Sequence, residues 1–455
     1  MIQSKYFKLF VTRSAASFFV IAAAFLLFSN ALAQPAESSL REQAAEVIEF
    51  DVNGLKVLVK SRPSASTVSA GLFIRGGARN ITAETAGQEI LMLEAATEAS
   101  RKYPRETLRR ILASKGTAIG SGINNDYSVL SLASTKENFA ESWKIFSDIA
   151  MYPKFDASDI ERVKEQRLTG LREAETDNDN FLEILEERIV FKGHPYSVDV
   201  GGTIQTIPKF TAKDLRDLHG QLMQTSRLLL VVVGNVDADV LKGMIENTLG
   251  NLPRGDYKPA PVPEIVIAKP AIDIVRRPLP TNYVQGVFNA PGLDNPDYYP
   301  MKIAMALLQA RVFQSVRVDR QLSYAPNAEM NTDAANTAKI YVTTVSPNEA
   351  VRVMLDDMDE LKNFSVDPGL IDSISGHFLT LHYIDLETNA AQARDLATYE
   401  MYGGGWRKSF EFLDRIKAVT PGQIQAVAKK YFKNIHFVVI GDPALIDKAV
   451  FLGEG

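Results

Sequence analysis

The chain has 455 residues, 46% of them hydrophobic, a formal net charge of −5 and no cysteine. That length and apolar fraction suffice for two domains of ordinary size, each with its own core. The lack of cysteine excludes disulfides, thiolate metal sites and lipid attachment at a mature N-terminal cysteine, and the lack of clustered basic residues argues against nucleic acid as a partner.

Lys5, Lys8 and Arg13 precede an apolar run from Ala15 to Phe28, and Ala31-Leu32-Ala33 offers the small residues of a cleavage site. Residues 1–33 therefore read as a signal peptide cut after Ala33. A permanent anchor is the competing reading, but the run is shorter than the ~20 residues a membrane span needs. Cleavage would remove three positive charges and leave a mature chain of net charge −8. The expected destination is the periplasm, without membrane attachment once the signal is removed.

A first domain is expected over residues 34–252. Val47 to Lys60 alternates around Asn53-Gly54, a pair suited to the positive φ angles of a tight hairpin turn. A strand over Thr67 to Arg75 runs into Gly76-Gly77, and Glu84 to Ser100 has helical composition. The glycine-rich stretch that follows, with glycines at 116, 120 and 122, lacks the spacing and the Lys-Ser or Lys-Thr pair of a phosphate-binding loop, so a tight chain reversal is expected there. A strand over Tyr127 to Thr135 comes next. Helices are expected over Asn138 to Met151, Ala157 to Thr176 and Asn180 to Val190, then one opened by Thr211, a strand over Arg227 to Asn235, and a helix over Ala238 to Leu249.

Seven prolines fall within the 28 residues from Pro253 to Pro280, a density that suits an extended connector. Residues 253–280 are read as the linker and 281–455 as a second domain. Its expected elements are a strand over Tyr283 to Asn289, a helix over Tyr299 to Val318, a strand over Ala338 to Ser346 and a helix over Pro347 to Asn363. The ends of the two halves match in order and pattern: Thr211 precedes Gly234 by 23 residues and Thr420 precedes Gly441 by 21, each opening an apolar helix, then a buried strand, then a glycine turn. Two similar α+β domains related by duplication are the simplest account.

Chemically, the chain is sparsely equipped. Its five histidines, His194, His219, His377, His382 and His436, include no i, i+4 pair. Glu94 and Glu98 can share a helix face, but two carboxylates without a third ligand suit a solvated edge better than a metal. The pair that stands out is Arg317 and Tyr324, at a helix-to-strand junction in RVFQSVRVDRQLSYAPNAEM, residues 311–330. Arg offers a fixed fork of donors to peptide carbonyls or carboxylates, and a phenol can donate to a developing oxyanion. Taken alone, the two also suit a surface ion-pair former and a half-buried aromatic.

The company they keep decides between these readings. GLFIRGGARNITAETAG, NNDYSVLSL, FKGHPYSVDVGGTIQTIPKFTAKDL, LLLVVVGNVD and FQSVRVDRQLSYAP occur in an order and spacing that resembles the pitrilysin/insulinase family of zinc peptidases, in particular its bacterial and mitochondrial-processing-peptidase-like branch. The resemblance covers nearly the whole mature chain. It implies an α+β fold of two homologous domains, each a mixed, mostly antiparallel sheet covered by helices (the LuxS/MPP-like metallohydrolase type), together forming half of a peptidase chamber.

Active members of that family carry an inverted zinc motif, H-x-x-E-H. Aligned on Gly87, the corresponding run puts Ile90 at the first His, Leu93 at the catalytic Glu and Glu94 at the second His, and the third ligand falls near Thr169 to Leu171. No metal site and no cofactor are therefore expected in this chain. The family's R-x-x-x-x-x-x-Y spacing, by contrast, is matched by Arg317 and Tyr324, with Gln321 where a glycine is usual.

The resemblance thus implies a non-catalytic, substrate-binding subunit of a periplasmic heterodimeric zinc metallopeptidase. Arg317 and Tyr324 would act on a peptide substrate in a site completed by a homologous, zinc-bearing partner. The alternative is a stand-alone pseudopeptidase that binds peptides or serves as a scaffold. An independently active peptidase with an unrecognised site is a third reading.

Overall fold

The computed structural model describes residues 43–363 and 367–454; the expected signal peptide lies outside them. Strands β1 (Val47–Val52) and β2 (Leu55–Ser61) form the expected hairpin, with Asn53 and Gly54 at φ 52° and 85°. They join β3 (Thr67–Arg75), β4 (Ala118–Ile123), β5 (Tyr127–Thr135) and β6 (Leu228–Gly234) in one sheet of order β1-β2-β6-β3-β5-β4. The second sheet contains β7 (Ala271–Arg276), β8 (Asn282–Asn289), β9 (Asn327–Met330), β10 (Thr337–Thr344) and β11 (His436–Gly441), in the order β7-β11-β8-β10-β9.

Removing β1 makes the two orders identical, with β2 matching β7, β6 matching β11, β3 matching β8, β5 matching β10 and β4 matching β9. The pairing sense agrees as well. β2 with β6 and β7 with β11 are parallel, and the other pairs are antiparallel.

The helices follow the same duplication. The first half has α1 (Gln88–Ala96), α2 (Arg105–Lys115), α3 (Phe139–Met151), α4 (Ala157–Thr176), α5 (Asn178–Leu185), α6 (Ala212–Leu222) and α7 (Ala238–Glu246). The second has α8 (Tyr298–Val312), α9 (Pro347–Asn363), α10 (Pro368–Asp385), α11 (Asn389–Tyr402), α12 (Phe412–Lys417), α13 (Pro421–Tyr431) and α14 (Lys448–Leu452). By order, α1 corresponds to α8, α3–α5 to α9–α11, α6 to α13 and α7 to α14. Thr211 and Thr420 each close a reciprocal capping box, with Asp214 and Gln423 respectively, which fixes where α6 and α13 begin.

Each sheet is covered on one face by helices of its own half and on the other by one helix of the opposite half. Leu228, Leu230 and Val232 of β6 enter the first core with Leu93, Trp143 and Phe146. Their neighbours Leu229, Val231 and Val233 pack instead against Ala393, Leu396 and Ala397 of α11. In the second half, Phe437 and Val439 of β11 face their own core, while Val438 and Ile440 meet Leu182 and Leu185 of α5. This exchange explains why β6 and β11 are unbroken apolar runs: both faces are buried, and each such side chain contributes roughly 1.5–3 kcal/mol.

Polar contacts fasten the exchange. Asn389 donates to the Thr67 carbonyl at 2.8 Å, Lys56 meets Glu400 at 2.6 Å, and Lys339 meets Glu183 at 2.6 Å. Asp126 accepts from the Tyr196 hydroxyl at 2.6 Å and from the Ala334 amide at 3.0 Å, tying NNDYSVLSL to the second half.

Three expectations need correction. The glycine-rich stretch is not only a reversal: Gly116 turns the chain at φ 57°, but residues 118–123 then pair with β5 as an edge strand. The proline-rich stretch is not connector throughout, because Ala271–Arg276 pairs in parallel with β11 as the edge of the second sheet. Prolines 270 and 278 flank that strand rather than interrupt it. The helix expected over Glu84 to Ser100 is shorter, starting after Gly87, whose φ is 83°.

Candidate functional site

Two loci carry the residues singled out in the sequence, and both stand at the helix that follows the second matched strand of their half. In the first, α1 lies against α4. Ile90 and Leu93 are 3% and 1% exposed, and both are packed into the apolar interior. Glu94, on the next residue of α1, faces the opposite way and meets Arg167 of α4. The guanidinium grips it in a fork, Nε to Oε2 and Nη2 to Oε1, each at 3.0 Å, while Nη1 donates to the Gly201 carbonyl at 3.1 Å. Burial pushes the Glu94 carboxyl up, and Arg167 pulls it back.

One turn further on, Glu98 is held by Arg105 at 3.0 Å and Arg162 at 2.7 Å. Burial would raise its carboxyl, but those guanidiniums, with Arg109, outweigh burial and hold it below the usual range. The carboxylates read as a solvated edge are therefore built into ion pairs. A cleft of about 530 Å³ opens between α1 and α4, lined by Glu94, Arg167 and Gly170 among others. At Gly170, where the third zinc ligand was sought, an added Cβ would meet nothing within 4 Å. Thr169 spends its hydroxyl on the Glu165 carbonyl at 2.9 Å.

A zinc ion does not fit this donor set. Two of the four expected positions are buried aliphatics, the third is open space at a glycine, and the one carboxylate is already neutralised by a guanidinium. Among the described residues no group of three or more His, Asp or Glu side chains could hold a metal ion. Arg167 was not singled out from the sequence. It stands 73 residues from Glu94, and no local signal could have paired them.

The second locus is the end of α8. The helix continues through Phe313–Asp319 as a wider, π-helical turn, so it reaches Asp319, as the sequence suggested to within a residue. Val316 is fully buried beneath, and its carbonyl accepts from the Leu322 amide at 2.8 Å, which folds the chain back sharply. Gln321 takes the left-handed conformation at φ 54° to allow this, at the position where a glycine would be unstrained.

That fold-back brings Arg317 and Tyr324 together. The guanidinium carbon lies 4.2 Å from the centre of the Tyr324 ring and 4.9 Å from that of Phe313, sandwiched between the two. Among the described residues Arg317 lies over these two rings and enters no ion pair, and Tyr324 is 79% exposed. Phe313 was also missed in the sequence, although its i, i+4 relation to Arg317 on one helix face is a legible signal. The tips of the pair are thus aligned by stacking and open to another molecule. No hydrogen bond, ion pair or ring contact joins them to Glu94 or Arg167.

His219, His382 and His436 make contacts within the fold. His219 Nε2 donates to the Ala150 carbonyl at 2.8 Å, and His382 stacks on Phe412, its burial lowering the imidazole to about 4. His436 pairs with Asp273 at 2.7 Å across β11 and β7.

Against known proteins, residues 56–203 match the profile of the insulinase family, peptidase family M16, and residues 209–374 match the profile described as the peptidase M16 inactive domain. The second match contains Arg317 and Tyr324. The chain is 22% identical over 418 residues to the mitochondrial-processing peptidase subunit beta of Lentinula edodes, covering 85% of this chain and 87% of that protein. Its fold matches the peptidase M16 inactive domain from Pseudomonas fluorescens with a TM-score of 0.79 at 18% identity, over 87% of this chain and 98% of the other. It also matches the first half of the periplasmic protease PqqL from Escherichia coli, with a TM-score of 0.74 at 13% identity, over 90% and 96% of the two chains.

Proposed function

Because this chain belongs to the insulinase family of peptidases, M16, and carries an ion pair where active members of that family hold zinc, we propose that it is a non-catalytic, substrate-binding subunit of a heterodimeric peptidase. A homologous subunit with an intact metal site would complete it. The observation that carries this reading is the Arg317–Tyr324 pair, stacked, with Tyr324 exposed, Arg317 half-buried and, among the described residues, no carboxylate paired with Arg317.

The zinc of the partner would supply the activated water. Arg317 would hold a peptide carbonyl or carboxylate through its planar fork, and the Tyr324 hydroxyl would donate to the oxygen on which charge builds up as the peptide bond is attacked. Neither residue must come from the metal-bearing chain, because what matters is proximity of donor and reacting atoms. The export signal read in residues 1–33 would place this work in the periplasm.

The purified chain alone should hold no stoichiometric zinc and cleave no peptide. Mixed with a homologous subunit that carries an intact H-x-x-E-H motif, it should give turnover that neither chain shows separately. Tyr324→Phe should lower that turnover by ~10²-fold with assembly intact by size-exclusion chromatography. Arg317→Ala should also raise KM, since its grip precedes the reaction. Full turnover from the double variant would remove the pair from the chemistry and favour a peptide-binding scaffold.

A further inference from the structure

The two sheets differ by one strand. In the first half β1 lies antiparallel on the outer edge of β2; in the second, among the described residues, no strand lies on the outer edge of β7, which matches β2. β7 turns alternate amides toward β11, Ala271 donating to the Ile435 carbonyl at 3.1 Å and Arg277 to the Gly441 carbonyl at 3.2 Å. The amides of Ile272, Ile274 and Arg276 therefore point outward, and among the described residues no acceptor meets them. Pro270 and Pro278 hold the next outward places and have no N–H, so a further strand can use only the amides between them.

The covered edge shows what such a strand must look like. Ser61 of β2 stands beside Gly234 and Arg276 of β7 beside Gly441, the two matched glycines, so Arg276 takes the place of Ser61, Ile274 of Val59 and Ile272 of Val57. On β2 these places face Glu46, Ile48 and Phe50: the Ser61 amide donates to the Glu46 carbonyl at 3.3 Å, and Ile48 and Phe50 stand opposite Val59 and Val57. Residues directly opposite share a face of the sheet. On β7, Ile272 and Ile274 pack against the second core, whereas Asp273 and Arg276 are exposed, and among the described residues Arg276 has no hydrogen bond or ion pair.

We propose that the outer edge of β7 takes up an extended segment of another protein as an added antiparallel strand, acidic opposite Arg276, apolar opposite Ile274 and Ile272, and basic opposite Asp273. Main-chain bonds would hold the segment and these side chains would select it. A second copy of β7 does not meet the terms. Paired about Ile274, it sets Arg276 opposite Ile272, and in the next register either way it brings Pro270 or Pro278 into the pairing. Neither Arg317 nor Tyr324 enters the pairing.

The probe is acetyl-AAEVIKFDVN-amide, residues 44–53 of this chain with Glu49→Lys, fluorescently labelled and titrated with the purified mature chain by anisotropy at pH 7. One saturable site is expected. Methylating the backbone nitrogens of its Ile and Phe, which face β7, should weaken binding by at least about tenfold, and methylating those of its first Val and its Lys, which face away, by less than about threefold. Arg276→Glu should weaken the probe by about fivefold, and a probe carrying Glu46→Lys should regain that loss on the variant. No saturation below ~1 mM, or equal binding of the two methylated probes, would overturn the proposal. So would an Arg276→Glu chain that binds both probes as the unaltered chain does, because the probe would then be lying elsewhere, as on β2. A dimer of the unaltered chain in sedimentation that Arg276→Glu disperses would assign the edge to a second copy and overturn it as well.

Discussion

Helices α1 and α8 hold the same place in the order of a duplicated fold, yet the residues they carry have been put to opposite uses. At α1 every residue at a chemically promising position is engaged within the chain: Ile90 and Leu93 fill the core, and Glu94 is clasped by Arg167. At α8 the Arg317 guanidinium is aligned by two rings and, among the described residues, answered by no acid, and Tyr324 stands almost free in solvent. A polar group satisfied at home contributes to stability and is unavailable for reaction. A pair that is ordered but unsatisfied has its free energy still to gain from another molecule.

The comparison is easiest to break at Leu93. Leu93→Glu would restore the carboxylate of an active family member but bury it among aliphatics, at a cost of roughly 3–5 kcal/mol, read as a drop in the denaturation midpoint. Tolerance of that change would mean the locus is less consolidated than its packing implies.

A smaller effect is expected at the ion pair. Arg167→Ala leaves the Glu94 carboxylate half-buried without its partner. Glu94 is 34% exposed, so water recovers part of the loss and about 1–3 kcal/mol should remain. Adding Glu94→Gln should recover part of it, and a double-mutant cycle in urea isolates the coupling.

Both loci depend on the seam that holds the halves in one frame, and pH should act there. Burial first, then Asp199, Glu186 and Glu183, push the Glu187 carboxyl up to about 8. A raised carboxyl means the folded chain holds its proton more tightly. Its contribution is full below the ordinary range near 4.5 and is lost as pH rises through 8. The stability difference between Glu187→Gln and the unaltered chain should therefore move by about 2 kcal/mol in favour of the variant between pH 6.5 and pH 8.5. A flat difference would show that the carboxyl is already ionised at pH 6.5.

The smallest effect belongs to the turn that aims Arg317 and Tyr324. Gln321 sits at φ 54°, so Gln321→Gly should relieve strain and raise stability by roughly 0.5–1 kcal/mol. In the reconstituted complex the same change should leave kcat nearly unaltered, because the ring stacking, not residue 321, sets the guanidinium. A large loss would mean that the glutamine itself holds the turn in its working shape.

Much of the fold was legible. Thr211 and Thr420 marked two equivalent helix starts, and the unbroken runs of β6 and β11 announced strands buried on both faces. Helices α2, α10, α11 and α12 were missed, and the strands that were missed are edge strands: β4 is rich in glycine, β9 spans four residues, and β7 lies among prolines with no strong alternation. Edge strands need only one neighbour and one packed face, so little in their own composition demands a sheet.

The sequence by itself determined the duplication, the loss of the zinc motif's His, Glu and His at positions 90, 93 and 94, and the Arg317–Tyr324 spacing, because each is a matter of which residue types stand at which intervals. Only the tertiary structure decided that Arg167 closes the first locus, that the fold-back at Gln321 lays Tyr324 on Arg317, and that each half lends a helix to the other's sheet. Those are contacts between residues distant in the chain or set by a single turn's geometry. Their free energy comes from desolvation and charge pairing after the backbone has brought them together, and no local run of sequence carries it.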